Sequence, residues 1–154
     1  MQASVHEWSN PPPMEVGAPL PAIRHEKDQL WVAYLCHNPD FPGWDSGADP
    51  EHPGFDIWCA LLRFDGVSDY YFGAPSDERL FTHTLYDVGL RSYGFYEACG
   101  TSRLSRQNGK KHWIITFHDE ILEVVADSAL VVQTRIEGED THAALKKCGD
   151  QPPI

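Results

Sequence analysis

The stretch HWIITFHDEILEVVA, residues 112–126, decides the fold class. Successive side chains of a strand point to opposite faces of a sheet, and apolar residues recur here at every second position. We therefore predict a β-hairpin with Asp119 and Glu120 at its tip, although a longer loop there would shift the register. One face is then wholly apolar, formed by Trp113, Ile115, Phe117, Leu122, Val124 and Ala126, with Phe117 facing Leu122, Ile115 facing Val124 and Trp113 facing Ala126. The opposite face is mixed and predicted to be partly wet, with Ile114, Thr116, Glu123 and Val125.

Further strands are predicted on both sides of this hairpin. Runs rich in β-branched and aromatic residues indicate strands over Gln29 to Cys36, Tyr93 to Cys99 and Leu130 to Ile136. A second hairpin is predicted over Ile57 to Phe72, because Asp65-Gly66 suits a two-residue turn. It would pair Phe64 with Val67 and Leu61 with Tyr70, and its apolar faces indicate a central position covered on both sides.

Two short helices complete the predicted elements. Ser76 and Asp77 offer an N-cap for one or two turns through about Phe81, and Thr141 offers one for His142 to Cys148. Short strands with few helices predict a mainly β protein, α+β at most, with an antiparallel sheet curled into a sandwich or an open barrel. Alternating βαβ units are absent from the pattern, so a doubly wound sheet is not expected.

The length and the proline distribution predict one domain. The chain has 154 residues, and residues 1–27 contain Pro11, Pro12, Pro13, Pro19 and Pro21 with few large apolar side chains. We expect residues 1–27 to form a flexible leader and residues 28–150 to form a single β-rich domain.

The charge and the cysteines limit the classes of function. There are 12 Lys and Arg against 23 Asp and Glu, a net charge of −11, so the surface repels nucleic acid. No apolar run approaches the ~20 residues that span a bilayer, and the N-terminus lacks the features of a secretory signal. The four cysteines are far apart in the sequence. These features together predict a cytoplasmic protein without disulfides or membrane association.

An acidic, aromatic loop is the predicted binding surface. Its carboxylates and rings resemble a hot spot of aromatic anchors with a charged rim: Asp40, Phe41, Trp44, Asp45, Asp49 and Asp56. An EF-hand count from Asp45 fails, because Pro50 stands where glycine is required. We therefore expect a non-enzymatic interaction domain for a basic protein partner, for example an immunity-type protein that blocks a cationic toxin. A symmetric homodimer is a third possibility.

The alternative function is an enzyme, either metal-dependent or acting on a small molecule in a His/Glu cleft. Its candidate ligands on the strands are His83, Glu97, His118 and Glu123. The competing interpretation places His118 in an exposed polar hairpin tip with Asp119 and Glu120. Nucleotide-binding loops, zinc motifs and nucleophile motifs are missing, so no cofactor is expected, with a transition metal as the alternative.

Four segments resemble a small family of uncharacterised bacterial domains. They are GVSDYYFGAPSDE at 66–78, HTLY at 83–86, YGFYE at 93–97 and ITFHDEILEVVA at 115–126. The resemblance covers roughly Leu30 to Ala126. It implies a bacterial origin and one self-contained domain, and it assigns no catalytic residue because the family has no established activity.

Overall fold

The computed structural model describes residues 2–16, 19–37, 57–102, 109–138 and 140–149. The chain forms two antiparallel sheets with the strand orders β1-β6-β7-β8-β5 and β2-β3-β4-β9. The strands are β1 (Ser4–Glu7), β2 (Ala22–Glu26), β3 (Gln29–His37), β4 (Ile57–Asp65), β5 (Asp69–Gly73), β6 (Phe95–Cys99), β7 (Lys111–Thr116), β8 (Ile121–Ala126) and β9 (Ser128–Glu137). The helices are the 3-10 helices Asp77–Thr82 and Tyr86–Val88 and the α-helix α1 (Thr141–Gly149). The predicted mainly β fold is confirmed, and it is a sandwich.

The main core fills the space between the two sheets. The four-stranded sheet contributes buried Leu30, Val32, Tyr34, Cys36, Ala60, Leu62 and Phe64. The five-stranded sheet contributes Phe95 and all six residues of the predicted apolar face, Trp113, Ile115, Phe117, Leu122, Val124 and Ala126. A second cluster lies under α1, on the outer side of the four-stranded sheet. In the described part of the chain, no helix is long and apolar enough to cross a bilayer.

The hairpin that decides the fold forms with a different register. Strands β7 and β8 pair around the loop 118–119 instead of 119–120. Trp113 therefore lies opposite Val124 and not opposite Ala126. Moving each partner by two positions leaves every side chain on its predicted face, because the side-chain period of a strand is two. The predicted apolar face is correct, while the predicted pairing is wrong.

The outer face of this hairpin is dry, which differs from the predicted partly wet face. Ile114, Thr116, Glu123 and Val125 are all buried. The segment between β5 and β6 covers much of this face, where the buried side chains of Leu80, Leu85 and Leu90 pack with Ile114 and Ile121. The segment with the two short 3-10 helices therefore shields the second face of the sheet. The periodicity of the strands alone could not predict this cover.

The second predicted hairpin is wrong. Strand β4 pairs with β3 and β9, whereas β5 pairs with β8 in the other sheet. Phe64 lies opposite Leu30 and Ala129, and Tyr70 lies opposite Val124. The predicted turn after Asp65 is present, with a positive φ at Gly66. It leads the chain from one sheet to the other instead of joining two paired strands. Both apolar faces of β4 are nevertheless covered, one by the other sheet and one by α1.

The crossing depends on Gly66, and its replacement by alanine should reveal this. Gly66 has a φ of +68°, and a Cβ added there would overlap the Asp127 carboxylate. We expect Gly66→Ala to lower the free energy of unfolding by about 1–2 kcal/mol, measured by urea denaturation, because the exposed Asp127 side chain must turn away from the added Cβ. Gly109→Ala is the matched control, because Gly109 has a φ of +77° and nothing within 4 Å of the added Cβ. It should cost about 1 kcal/mol. Equal costs for both variants would show that the overlap with Asp127 is relieved without penalty.

The first 27 residues differ from the expected flexible leader, because they contribute two edge strands. Strand β1 pairs with β6, and β2 forms a hairpin with β3. Between them, Trp8 packs on Phe64, Phe95 and Trp113, and the buried Tyr34 hydroxyl donates a hydrogen bond to the Pro12 carbonyl at 2.7 Å. The proline-rich stretch lies between the two strands, and Pro11 and Met14 within it are buried.

The helix caps also differ from the prediction. Ser76 makes no side-chain cap bond, and the helix after it is a 3-10 helix. At α1 the capping side chain is Asp140, whose Oδ1 accepts a hydrogen bond from the Ala143 N–H at 3.0 Å. The Thr141 hydroxyl instead donates to the Leu20 carbonyl at 2.7 Å, which ties α1 to the N-terminal part of the chain.

Candidate functional site

A cleft of about 370 Å³ opens on the outer face of the five-stranded sheet. Its polar lining residues are His83, Thr84, Thr101, Ser102, His112 and Glu123. They come from three parts of the chain: the end of the first 3-10 helix, the turn after β6, and the paired strands β7 and β8. This is the outer face that residues 80–90 shield on one side, so the cleft lies where that cover meets the end of β6.

Two histidines hold one buried carboxylate in the cleft. His112 on β7 and Glu123 on β8 are diagonal neighbours, because Ile114 is the residue directly opposite Glu123. The His112 Nε2 lies 2.9 Å from Glu123 Oε1. His83, which follows the 3-10 helix Asp77–Thr82, approaches from the covering segment, and its Nε2 lies 3.3 Å from Glu123 Oε2. Each carboxylate oxygen therefore has its own imidazole partner.

The carboxylate is ionised in spite of its burial. Glu123 is 8% exposed and His112 is 1% exposed. Burial alone would raise the pKa of Glu123, but the hydrogen bonds from His112 and His83 more than offset it and lower the pKa to about 2. A negative charge is thus maintained at the floor of the cleft at neutral pH.

Hydrogen-bond partners assign the protons on both imidazoles. The Leu85 N–H donates to His83 Nδ1 at 3.0 Å, so the proton of the neutral ring is on Nε2 and is donated to Glu123. An ionised carboxylate only accepts, so His112 also carries a proton on Nε2. In the neutral ring its Nδ1 is an acceptor, and it lies 2.8 Å from the Thr101 hydroxyl, which then donates to it.

The structure brings together two of the four candidate metal ligands. His83 and Glu123 share the cleft. Glu97 lies opposite Trp113, on the side of the sheet that faces the core, so it is on the other face. His118 lies in the loop between β7 and β8, away from the cleft lining.

A metal ion does not fit the two ligands that remain. Within the described ranges, no three His, Cys, Asp or Glu side chains are arranged to hold a metal ion. A metal-bound imidazole nitrogen must have a free lone pair, and the Nε2 of His83 carries a proton because Leu85 occupies its Nδ1. Within the described residues, Glu123 and His83 therefore pair with each other, and no third ligand is arranged to hold a metal ion with them.

His118 belongs to a second polar cluster at the hairpin tip. The Tyr93 hydroxyl lies 2.7 Å from His118 Nδ1 and donates to Asp77 Oδ2 at 2.9 Å. The rings of Tyr93 and His118 are stacked, and the His118 side chain is 38% exposed. The competing interpretation of a polar, exposed tip therefore describes His118 better than a ligand role.

The sequence prediction missed His112 and Thr101. The predicted register placed Thr116 opposite Glu123, which left His112 too far away to contact it. With the loop at residues 118–119, His112 becomes the diagonal neighbour of Glu123. Thr101 carried no periodic signal, because it lies in the turn after β6.

Acid should weaken the fold through Glu123. Its pKa is lowered in the folded state from an ordinary value of 4.5 to about 2, so the stabilisation is complete above pH 4.5 and is lost as the pH falls to 2. We expect the free energy of unfolding to decrease by about 3 kcal/mol over this range beyond the contribution of other carboxylates. The measurement is urea denaturation at a series of pH values. Glu123→Gln removes the titrating group and is the control; an identical slope in this variant would contradict the assignment.

The predicted binding surface lies outside the described residues. This applies to all six of its members, Asp40, Phe41, Trp44, Asp45, Asp49 and Asp56. Its role therefore stays a prediction.

Comparisons with known proteins identify no relative. No protein-family model matches the chain, and neither a curated protein nor a solved structure matches it significantly. The resemblance to uncharacterised bacterial domains stays a prediction.

Proposed function

We propose that this chain is a small-molecule-binding protein whose site is the cleft above Glu123. The observation that carries the proposal is an ionised carboxylate, 8% exposed, at the floor of a cavity of about 370 Å³. Burying a charged cluster rarely stabilises a fold more than apolar residues of similar volume would. A cavity of this size suits a small ligand, and convergent polar groups in a cavity are typical of binding sites.

The lining favours a neutral, polar ligand. Thr84, Thr101 and Ser102 provide hydroxyl groups at the cleft. Among the described residues, neither lysine nor arginine lines it, so this part of the lining supplies no cation for a phosphate or carboxylate ligand. With Glu123 ionised, anions are disfavoured further. Molecules that carry both hydrogen-bond donors and acceptors, such as sugars, nucleosides and amides, match these groups best.

The experiment is a titration of the ¹⁵N-labelled full chain with such fragments at millimolar concentrations. We expect saturable amide shifts confined to residues 83–85, 100–102 and 112 for at least one class. Thr84→Trp should fill the cleft and abolish these shifts, whereas Thr134→Trp on the exposed side of β9 should leave them unchanged. Absence of localised shifts for every class, or shifts that persist in Thr84→Trp, would contradict the proposal.

A second candidate is the interaction with a basic protein partner in a bacterial cytoplasm. It is supported by the net charge of −11, and by the free thiols of Cys36 and Cys99 in the part of the chain that the structure describes. An immunity-type role against a cationic toxin is one example. Binding to cationic toxin domains, measured by calorimetry, should weaken steeply with salt. Tight association that survives about 1 M salt would contradict a role for exposed charge, because attraction between exposed charges is screened there.

A further inference from the structure

We infer that the Thr101 hydroxyl is a nucleophile, activated by His112, and that the cleft cleaves small carboxylic esters. The inference rests on the proposed function, because the substrate must enter the same cleft. It adds a reaction to that function: acyl transfer to a threonine followed by hydrolysis.

Thr101, His112 and Glu123 are connected in the order of a nucleophile, a base and a carboxylate that orients the base. Thr101 Oγ1 lies 2.8 Å from His112 Nδ1, and His112 Nε2 lies 2.9 Å from Glu123 Oε1. A hydroxyl within hydrogen-bond reach of an imidazole, which is itself oriented by a carboxylate, is the order of groups that activates serine nucleophiles, here with the two imidazole nitrogens exchanged. His83 fixes the second carboxylate oxygen, so the orientation of Glu123 is determined on both sides.

Accessibility separates the roles of the three residues. All three residues line the cleft, but His112 and Glu123 are buried, whereas Thr101 is partly exposed. A ligand in the cleft can thus contact the Thr101 hydroxyl, with the imidazole of His112 next to it. A hydroxyl that only satisfied a buried imidazole nitrogen would not need to face a cavity.

The backbone before Thr101 is a second, independent observation. Gly100 has a φ of +68°, and a Cβ there would lie 2.9 Å from the Gln2 carbonyl oxygen. Glycine is the residue that tolerates both this conformation and this close approach. A tight turn at the end of β6 therefore presents Thr101 to the cleft, in the way that nucleophiles are presented on sharp turns in hydrolases.

The reaction is balanced with water as the only co-substrate. Thr101 Oγ attacks the ester carbonyl carbon, and its proton passes to His112 Nδ1. The tetrahedral intermediate collapses, the bond to the leaving alkoxide breaks, and His112 returns the proton to the departing alcohol. Water then attacks the acyl-threonine with His112 as base, which releases the carboxylic acid and restores the Thr101 hydroxyl.

The test is covalent labelling of the full chain with a fluorophosphonate probe. The hydroxyl oxygen attacks phosphorus, the P–F bond breaks, fluoride leaves, and the proton passes to His112. We expect one label, located on Thr101 by peptide mass spectrometry. Thr101→Val preserves the shape without the hydroxyl and should reduce labelling on the order of 100-fold or more, while Thr101→Ser should retain it. Thr134→Val is the matched control on exposed β9 and should label like the unmodified chain.

Chemical rescue tests the base separately. His112→Gly should slow labelling on the order of 100-fold, and millimolar imidazole, which fits the space left by the side chain, should restore most of the rate. The rate of p-nitrophenyl acetate hydrolysis should be retained in Thr101→Ser and reduced in Thr101→Val and His112→Gly, as expected for the labelling rate.

The outcomes distinguish the inference from the proposed function. Unlabelled Thr101 in a chain that still binds polar fragments would overturn the nucleophile and leave the binding site intact. An unlabelled chain that also binds no fragment would overturn both. Labelling that is equal in Thr101→Val would likewise overturn the inference.

Discussion

Glu123→Ala should lower the free energy of unfolding by about 3–5 kcal/mol. The substitution leaves the Nε2–H groups of His83 and His112 without their acceptor in a buried position, at 3.3 and 2.9 Å from the oxygens that are removed. Removing one partner of a buried charged cluster typically has an effect of this size, because the remaining polar groups stay desolvated. Urea denaturation at neutral pH measures it directly.

The matched control is Glu137→Ala, at the exposed end of β9. Surface substitutions of this kind usually change stability by about 0.5 kcal/mol or less. If Glu123→Ala and Glu137→Ala had equal effects, the two imidazole bonds would contribute nothing to the fold. In that case the carboxylate would be solvated through the cleft, and the acid dependence described above would vanish as well.

Trp113→Ala should have an effect of similar size through a different mechanism. Trp113 is 4% exposed and packs between the sheets, with its ring centroid 5.5 Å from Phe64 and 6.2 Å from Trp8. Truncation removes a large apolar area and leaves a cavity that three separate elements would have to close. We expect a loss of about 3–5 kcal/mol, measured by urea or thermal denaturation.

Trp31→Ala is the control for Trp113. Trp31 is only half-buried, on the outer side of the four-stranded sheet, where the Arg63 guanidinium lies 5.5 Å from its ring centroid. Losing this contact and part of its burial should cost about 1–2 kcal/mol. A Trp113 variant no less stable than the Trp31 variant would indicate that the main core is not between the sheets.

Local pattern predicted those features that depend on a single strand. The apolar face of residues 112–126 was predicted correctly, because an even shift of register does not move a side chain to the other face. The pairing of β7 with β8 was predicted wrongly, since the position of the loop at residues 118–119 depends on contacts across the sheet. The turn after Asp65 was anticipated, but its destination in the other sheet depends on which strands cover β4.

The candidate site shows the same limit. His83 and Glu123 could be selected from the sequence by chemical type, whereas Glu97 could be assigned to the core-facing side only once its neighbour Trp113 was known. His112 became a partner of Glu123 only in the correct register, and Thr101 joined them through the turn at Gly100. The contacts of Thr101 with His112, and of His112 and His83 with Glu123, connect separate parts of the chain, and residue types alone do not specify such contacts.

The pairing of β1 with β6 and of β4 with β9 has a consequence for how the chain acquires its fold. Both pairs join segments that are far apart in sequence, and chains dominated by such contacts fold slowly, in milliseconds to seconds. During synthesis on the ribosome, β2, β3 and β4 emerge early. Strand β1 cannot pair until β6 has emerged, and one edge of β4 stays unpaired until β9 has emerged. Until then, the apolar faces of these strands are open to other chains, so molecular chaperones and low expression temperature should increase the yield of native protein.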